Sequence, residues 1–193
     1  MFIYWMVHPS IMLKSKKASL IAVLVAACIG SNYALLGVAN FKVMDLLVFV
    51  SGFVFGSTVG ASIGVLTWMV YGVLNPYGFV PQIWIVTMLS EAIYGIMGGF
   101  LAKSISLADY SNSRVVVRVL FGAAGFLLTF IYDLVTNVAF ALTFGIPIMA
   151  ALISGIPFAI IHELSNLILF GVCSPPLISI LEKSYRGFES WPL

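Results

Sequence analysis

Residues Val115–Leu142 read VVVRVLFGAAGFLLTFIYDLVTNVAFAL, an almost unbroken apolar run whose only charges are Arg118 and Asp133. It exceeds the roughly 20 residues that a helix needs to cross a bilayer. The rest of the chain has the same character. Of its 193 residues 62% are hydrophobic and 8% are charged, against about 25% charged in a soluble domain. So few charges cannot cover the surface of a soluble globule, and disordered chains are poor in apolar residues. The 17 glycines have no triplet period, which excludes a collagen-like chain. Cys28 and Cys173 lie in apolar runs and read as two buried free thiols. A net charge of +2 gives no argument for nucleic acid. No window has the ten-residue alternation of an outer-membrane barrel. The fold class is therefore an all-α membrane protein.

Six apolar spans are expected: Ala18–Leu36, Met44–Phe55 (short), Val59–Leu74, Ile83–Ala102, Val115–Leu142, and a last one starting between Pro147 and Pro157 and reaching about Val172. Lys14, Lys16 and Lys17 precede the first. Lys103, Arg114 and Arg118 surround the one polar loop, Ser104–Ser113, and Lys183 and Arg186 follow the last. With both termini cytoplasmic, every basic residue except Lys42 lies inside, as the positive-inside rule asks. The chain then divides into an interfacial segment at 1–17, carrying Tyr4 and Trp5, a six-helix bundle at 18–173, and a cytoplasmic segment at 174–193. The apolar start precedes its lysines, the wrong order for a signal peptide. No internal repeat supports an inverted-repeat transporter.

Several chemistries are missing. No Walker loop is present, so ATP binding of that kind is excluded. His162-Glu163-Leu164-Ser165-Asn166 begins like the H-E-x-x-H of zinc proteases, but its fifth position is Asn. No metal site, cofactor or catalytic residue is expected.

The spans do carry ionisable groups, which are costly in a bilayer, about 2.5–3.5 kcal/mol each, and functional by default. These are Glu91, Asp133, His162 and Glu163, with Asn137 four residues after Asp133 and Asn166 four after His162. At 1.5 Å per residue, Glu91 lies about 13 Å from the outer end and Asp133 about 27 Å from the inner one. A last helix starting at Pro157, capped by Ser154, puts His162 about 8 Å deep. All then share the outer half and can line one pocket. The turn Asn75-Pro76-Tyr77-Gly78 lies beside Trp68, Tyr71 and Trp84, rings suited to stacking on a flat ligand or to interfacial anchoring. Asp45, Glu91, Asp133 and Glu163 outnumber Lys42 and a His162 cation on this side, a balance favouring a cationic or donor-rich ligand.

Span one carries Ala18, Ala22, Ala26, Gly30 and Ala34 at four-residue spacing. Such a stripe lets another helix approach closely, inside the bundle or from a partner.

Three stretches carry a family resemblance: Phe41–Asp45, Phe53–Gly64 and Tyr71–Gly78, with the ending Gly155–Phe158, His162–Asn166 and Pro175-Pro176-Leu177. Together they resemble the substrate-binding S components of energy-coupling factor (ECF) transporters, over roughly residues 18–185. The resemblance implies six helices with cytoplasmic termini in a prokaryotic cell membrane. It implies a vitamin-like ligand on the outer side, held by the last three helices and the outer loops. It further implies docking of Ala18, Ala22 and Ala26 on a transmembrane coupling subunit driven by a pair of ATPases. Cobalt and nickel members carry His at position 2; here it is Phe2, which argues against metal uptake.

The expected function is capture of a small molecule for ATP-driven import, without enzymatic activity. The substrate-binding residues expected are Trp68, Asn75, Tyr77, Trp84, Glu91, Asp133, Asn137, His162, Glu163 and Asn166. A solitary ion-coupled carrier and a non-transport membrane scaffold are the competing readings.

Overall fold

The computed structural model describes residues 9–105 and 114–189, with side chains described over 16–105 and 115–184. The expected interfacial aromatics Tyr4 and Trp5, and most of the polar loop, lie outside those residues. Among the described residues six helices follow one another: α1 (Pro9–Ala34), α2 (Val43–Phe55), α3 (Ser57–Tyr71), α4 (Pro81–Ser104), α5 (Arg114–Phe144) and α6 (Ile148–Glu189). Among the described residues there is no strand. Four helices, α1, α4, α5 and α6, are long and apolar enough to cross a membrane, while α2 and α3 are shorter.

The surface is apolar and the interior carries the polarity. Val115, Leu142, Met149 and Ile168 are each more than 60% exposed. Asp45, Ser51, Thr67, Glu91, Thr129, His162, Asn166 and Ser174 are buried. In water so broad an apolar exterior would drive aggregation; against lipid it is the favourable arrangement. The protein is an all-α membrane protein.

Two helix ends differ from expectation. Helix α1 starts at Pro9 and runs unbroken through the lysine cluster, so residues 9–17 belong to the helix. Helix α6 starts at Ile148, inside the expected window, but holds Pro157, Pro175 and Pro176 within it and runs past Val172. The turn before it is made by Gly145, at φ 66°, with Ile146 N–H donating to Ala141 O at 3.0 Å. That six-to-one bond around a left-handed glycine closes α5, and Pro147 O then accepts from Ala150 and Ala151. Ser154 is not a cap: its hydroxyl donates back to Ala151 O at 3.0 Å. His162 therefore lies about 21 Å into α6, at 1.5 Å per residue, and not 8 Å. Past Pro175-Pro176 the chain stays helical to Glu189.

Helices α2, α3 and α4 meet through glycine. Gly56, at φ 94°, reverses the chain between α2 and α3. A methyl group added to Gly95 would collide with the backbone of Gly60, and one on Gly60 with Gly52. Three backbones thus touch where only hydrogen fits. Helix α5 packs most extensively on α6, with Gly122 against Leu167 and Gly125 against Asn166 and Phe170. Between these two blocks lies an aromatic core of Phe49, Phe53, Phe121 and Phe170.

Candidate functional site

The site follows from the shortness of α2. Its 13 residues span about 20 Å, against about 46 Å for the 31 of α5. Its N-terminus therefore stops inside the bundle, and the connection from α1 bends inward to reach it. Asp45, in the first turn of α2, is 1% exposed and meets a histidine far down α6. An acid in a first helical turn is favoured by the free N–H groups there.

His162 is the centre of the buried polar row. Its Nε2 lies 2.8 Å from Asp45 Oδ2, and its Nδ1 lies 2.9 and 3.1 Å from the two oxygens of Asp133. A neutral imidazole has one N–H and an ionised carboxylate has none. Filling both contacts therefore takes two protons, held as an imidazolium or as an imidazole with one carboxylic acid. Asn166 Nδ2 donates to Asp45 Oδ2 and to Thr129 Oγ1, both at 2.7 Å. Tyr94 OH donates to the same Thr129 oxygen at 3.0 Å, and that hydroxyl donates to Gly125 O at 2.7 Å. Thr129 thus uses one donor and two acceptors, all its capacity. Helices α2, α4, α5 and α6 are joined by this one network. Asp45 Oδ1, Asn166 Oδ1 and Glu91 Oε1 are buried acceptors without a hydrogen-bond partner among the described residues.

Above the row lies a cavity of about 340 Å³, lined by the end of α1, the α1–α2 connection, the end of α3 and the loop after it, with Phe158 of α6. Its polar lining residues include Asn32, Asn40, Lys42, Asn75 and Tyr77, and Trp68 and Tyr71 supply aromatic wall. The rim is stitched by reciprocal bonds: Tyr33 OH donates to Leu74 O and Tyr77 OH to Leu36 O, both at 2.9 Å. Asn40, at φ 53°, donates to Phe158 O at 3.1 Å and ties the connection to α6. Lys42 and Trp68 join the cavity to the row. The Lys42 ammonium sits 5.4 Å from the Trp68 ring centre and 5.0 Å from that of Tyr132, while Trp68 Nε1 donates to Glu91 Oε2 at 3.2 Å.

The ten expected substrate residues divide among several places. Trp68, Asn75 and Tyr77 line the cavity. Trp84 does not; it packs on Gly72 and donates to Trp68 O at 2.8 Å, holding that helix end in place. Glu91, Asp133, His162 and Asn166 are buried beneath the cavity and do not line it. Asn137 donates to Asp133 O at 2.7 Å on its own helix and lies under Gly155. Glu163 is only partly buried, on a neighbouring face of α6. Of the carboxylates that weighed towards a cationic ligand, Asp45, Glu91 and Asp133 are closed off below and Glu163 lies elsewhere on α6, and the charged residue on the cavity wall is Lys42. Asp45, Thr129, Tyr94 and Lys42 were missing from the expected site. For Asp45 the signal was present: an acid two residues into an unusually short span.

Ala18, Ala22, Ala26, Gly30 and Ala34 are all exposed, and nothing lies within 4 Å of a Cβ built on Gly30. Compared with protein-family models, with curated proteins and with solved structures, the chain matches none of them.

Proposed function

We propose that the chain is the substrate-binding S component of an ECF-type importer in a prokaryotic cell membrane, with six crossings and both termini cytoplasmic. The observation that carries this is the cavity seated on a buried polar row. It opens at the end of the bundle where α1 finishes and α6 begins, opposite the lysine cluster. With the termini inside, that end faces outward, where a nutrient is captured. A volume of about 340 Å³ falls in the range of small-molecule pockets. The exposed Ala18, Ala22 and Ala26 suit the face that docks on a transmembrane coupling subunit, which a pair of ATPases drives. Small residues on lipid-facing helices favour close helix–helix approach.

The test is co-purification. Co-expressed with a coupling subunit and its ATPases, the wild-type chain is expected to be retained by a tag on the coupling subunit. Ala22→Leu is expected to lose that retention while its melting temperature in detergent stays unchanged. Equal retention of wild type and Ala22→Leu would count against the stripe as the docking face. No retention of either would count against the importer reading.

One observation favours a second reading. A carboxylate–imidazole–carboxylate row holding two bridging protons, linked to the cavity through Lys42 and Trp68, also suits a solitary ion-coupled carrier. That reading expects uptake in cells lacking the ATPases, abolished by Asp133→Asn.

A further inference from the structure

We propose that the cavity takes a planar aromatic monoanion, with Lys42 holding its carboxylate; this rests on the ligand-binding reading of the same cavity. Lys42 is the charged residue of the lining, and the other polar groups there are amides and phenols. Its ammonium is held against the faces of Trp68 and Tyr132 and not against a carboxylate. The ion pairs of the buried row are those of His162 with Asp45 and Asp133. A cation–π seat is worth about 0.5–2 kcal/mol and uses none of the three N–H donors. Those donors remain free for a ligand oxygen.

Its position adds to this. Of the nine Lys and Arg residues, Lys42 alone belongs to the cavity end of the bundle. A single fixed cation in the lining matches one negative charge; a doubly charged phosphate would keep one charge unmatched. Asp45 and Glu91 lie close enough to feel the Lys42 charge, but each has a partner of its own. Asp45 and Asp133 are engaged by His162, Glu91 accepts from Trp68, and none of the three is on the wall. Aromatic wall on the α3 side, from Trp68 and Tyr71, gives faces for a flat ring. Asn75 fixes its oxygen by accepting from Tyr77 N–H at 3.0 Å, which leaves its NH2 donors for a ring substituent.

Three probes with one ring system separate the possibilities: 2-naphthoate, 2-naphthamide and 2-naphthylmethylammonium. Each is titrated calorimetrically into the purified full chain in detergent. Naphthoate is expected to bind about tenfold or more tightly than the amide, the worth of a charge-assisted hydrogen bond, and the ammonium least. Lys42→Met, which keeps the stem over the rings, is expected to remove that preference and leave the amide unchanged. Lys42→Arg is expected to restore it. Equal or tighter binding of the amide or the ammonium overturns the anion inference but leaves the cavity as a ligand site. So does an acid preference that survives in Lys42→Met. If none of the three binds, both the anion inference and the small-molecule reading of the cavity fail.

Discussion

Two seams hold this bundle, and they work by different physics. Where α2, α3 and α4 meet, Gly52, Gly60 and Gly95 bring three backbones into contact, and cohesion comes from dispersion over closely matched surfaces. Where α2 and α4 meet α5 and α6, a polar contact runs beside the aromatic core: Asp45, Tyr94, His162, Asp133, Asn166 and Thr129 bond across four helices. Lipid offers no hydrophobic drive between helices, so both devices are needed. The glycine seam has one way to pack. The polar seam can be rearranged by moving a proton or rotating an amide, and it underlies the cavity. The comparison teaches that one seam is rigid and the other adjustable.

The largest effect is expected from the rigid seam. Gly95→Val places a side chain into the backbone of Gly60 and Ala61. The cost should exceed the about 1–3 kcal/mol of ordinary overpacking, because no flexible side chain can yield. Size-exclusion chromatography in detergent is expected to show little or no monodisperse protein. A well-behaved variant melting near wild type would mean that the seam is not tight.

His162→Ala comes next. It leaves Asp45 and Asp133 buried without their bridge, a loss of about 3–5 kcal/mol by the usual cost of breaking a buried pair. A triple replacement, Asp45→Leu, Asp133→Leu and His162→Leu, sharpens the comparison. Apolar substitution of a whole buried ionic set is commonly neutral, so this variant is expected to melt much closer to wild type than His162→Ala. If it is as damaged as the single variant, the row is indispensable glue and not an adjustable part.

Thr129→Val should cost about 1–3 kcal/mol, because Tyr94 OH and Asn166 Nδ2 both lose an acceptor in a dry site. Thermal melting measures it; a loss near zero would show that the two donors find other partners. Tyr77→Phe is expected to change least, about 0.5–1.5 kcal/mol or below, since its bond to Leu36 O lies at the exposed rim. Hydrogen exchange in residues 35–42 should rise, and an unchanged rate would remove the stitch from the account.

The helical, membrane-embedded character was legible because a long apolar run with few charges admits little else. Glycine and proline also marked the α5–α6 turn, yet two prolines competed for it. Pro157 reads as a start because an isolated helix loses a bond there; inside a packed bundle the loss is tolerated, and Gly145 at positive φ decides. That nine-residue difference moved His162 from near a helix end to the middle of the bundle. Glu91, Asp133, His162 and Asn166 were recognisable as inward groups because each is expensive in lipid. Their partner Asp45 showed only as an acid near the start of a short span; its depth depends on how far α2 sinks, a tertiary matter. The cavity wall was likewise only half legible: Asn75 and Tyr77 sit in a marked turn with Trp68 on the helix before it, whereas Asn40 and Lys42 reach the site through a connection whose path follows from the length of α2.

The central claim is that the space above Lys42 and Trp68 holds a small molecule. Native mass spectrometry of the chain, purified in mild detergent from cells grown in rich medium, tests it most directly. The account expects a bound small-molecule mass on wild type, retained in Ala22→Leu and absent when Trp68→Ala removes the shared wall. A bare protein mass under all conditions, or an adduct equally present in Trp68→Ala, would contradict it.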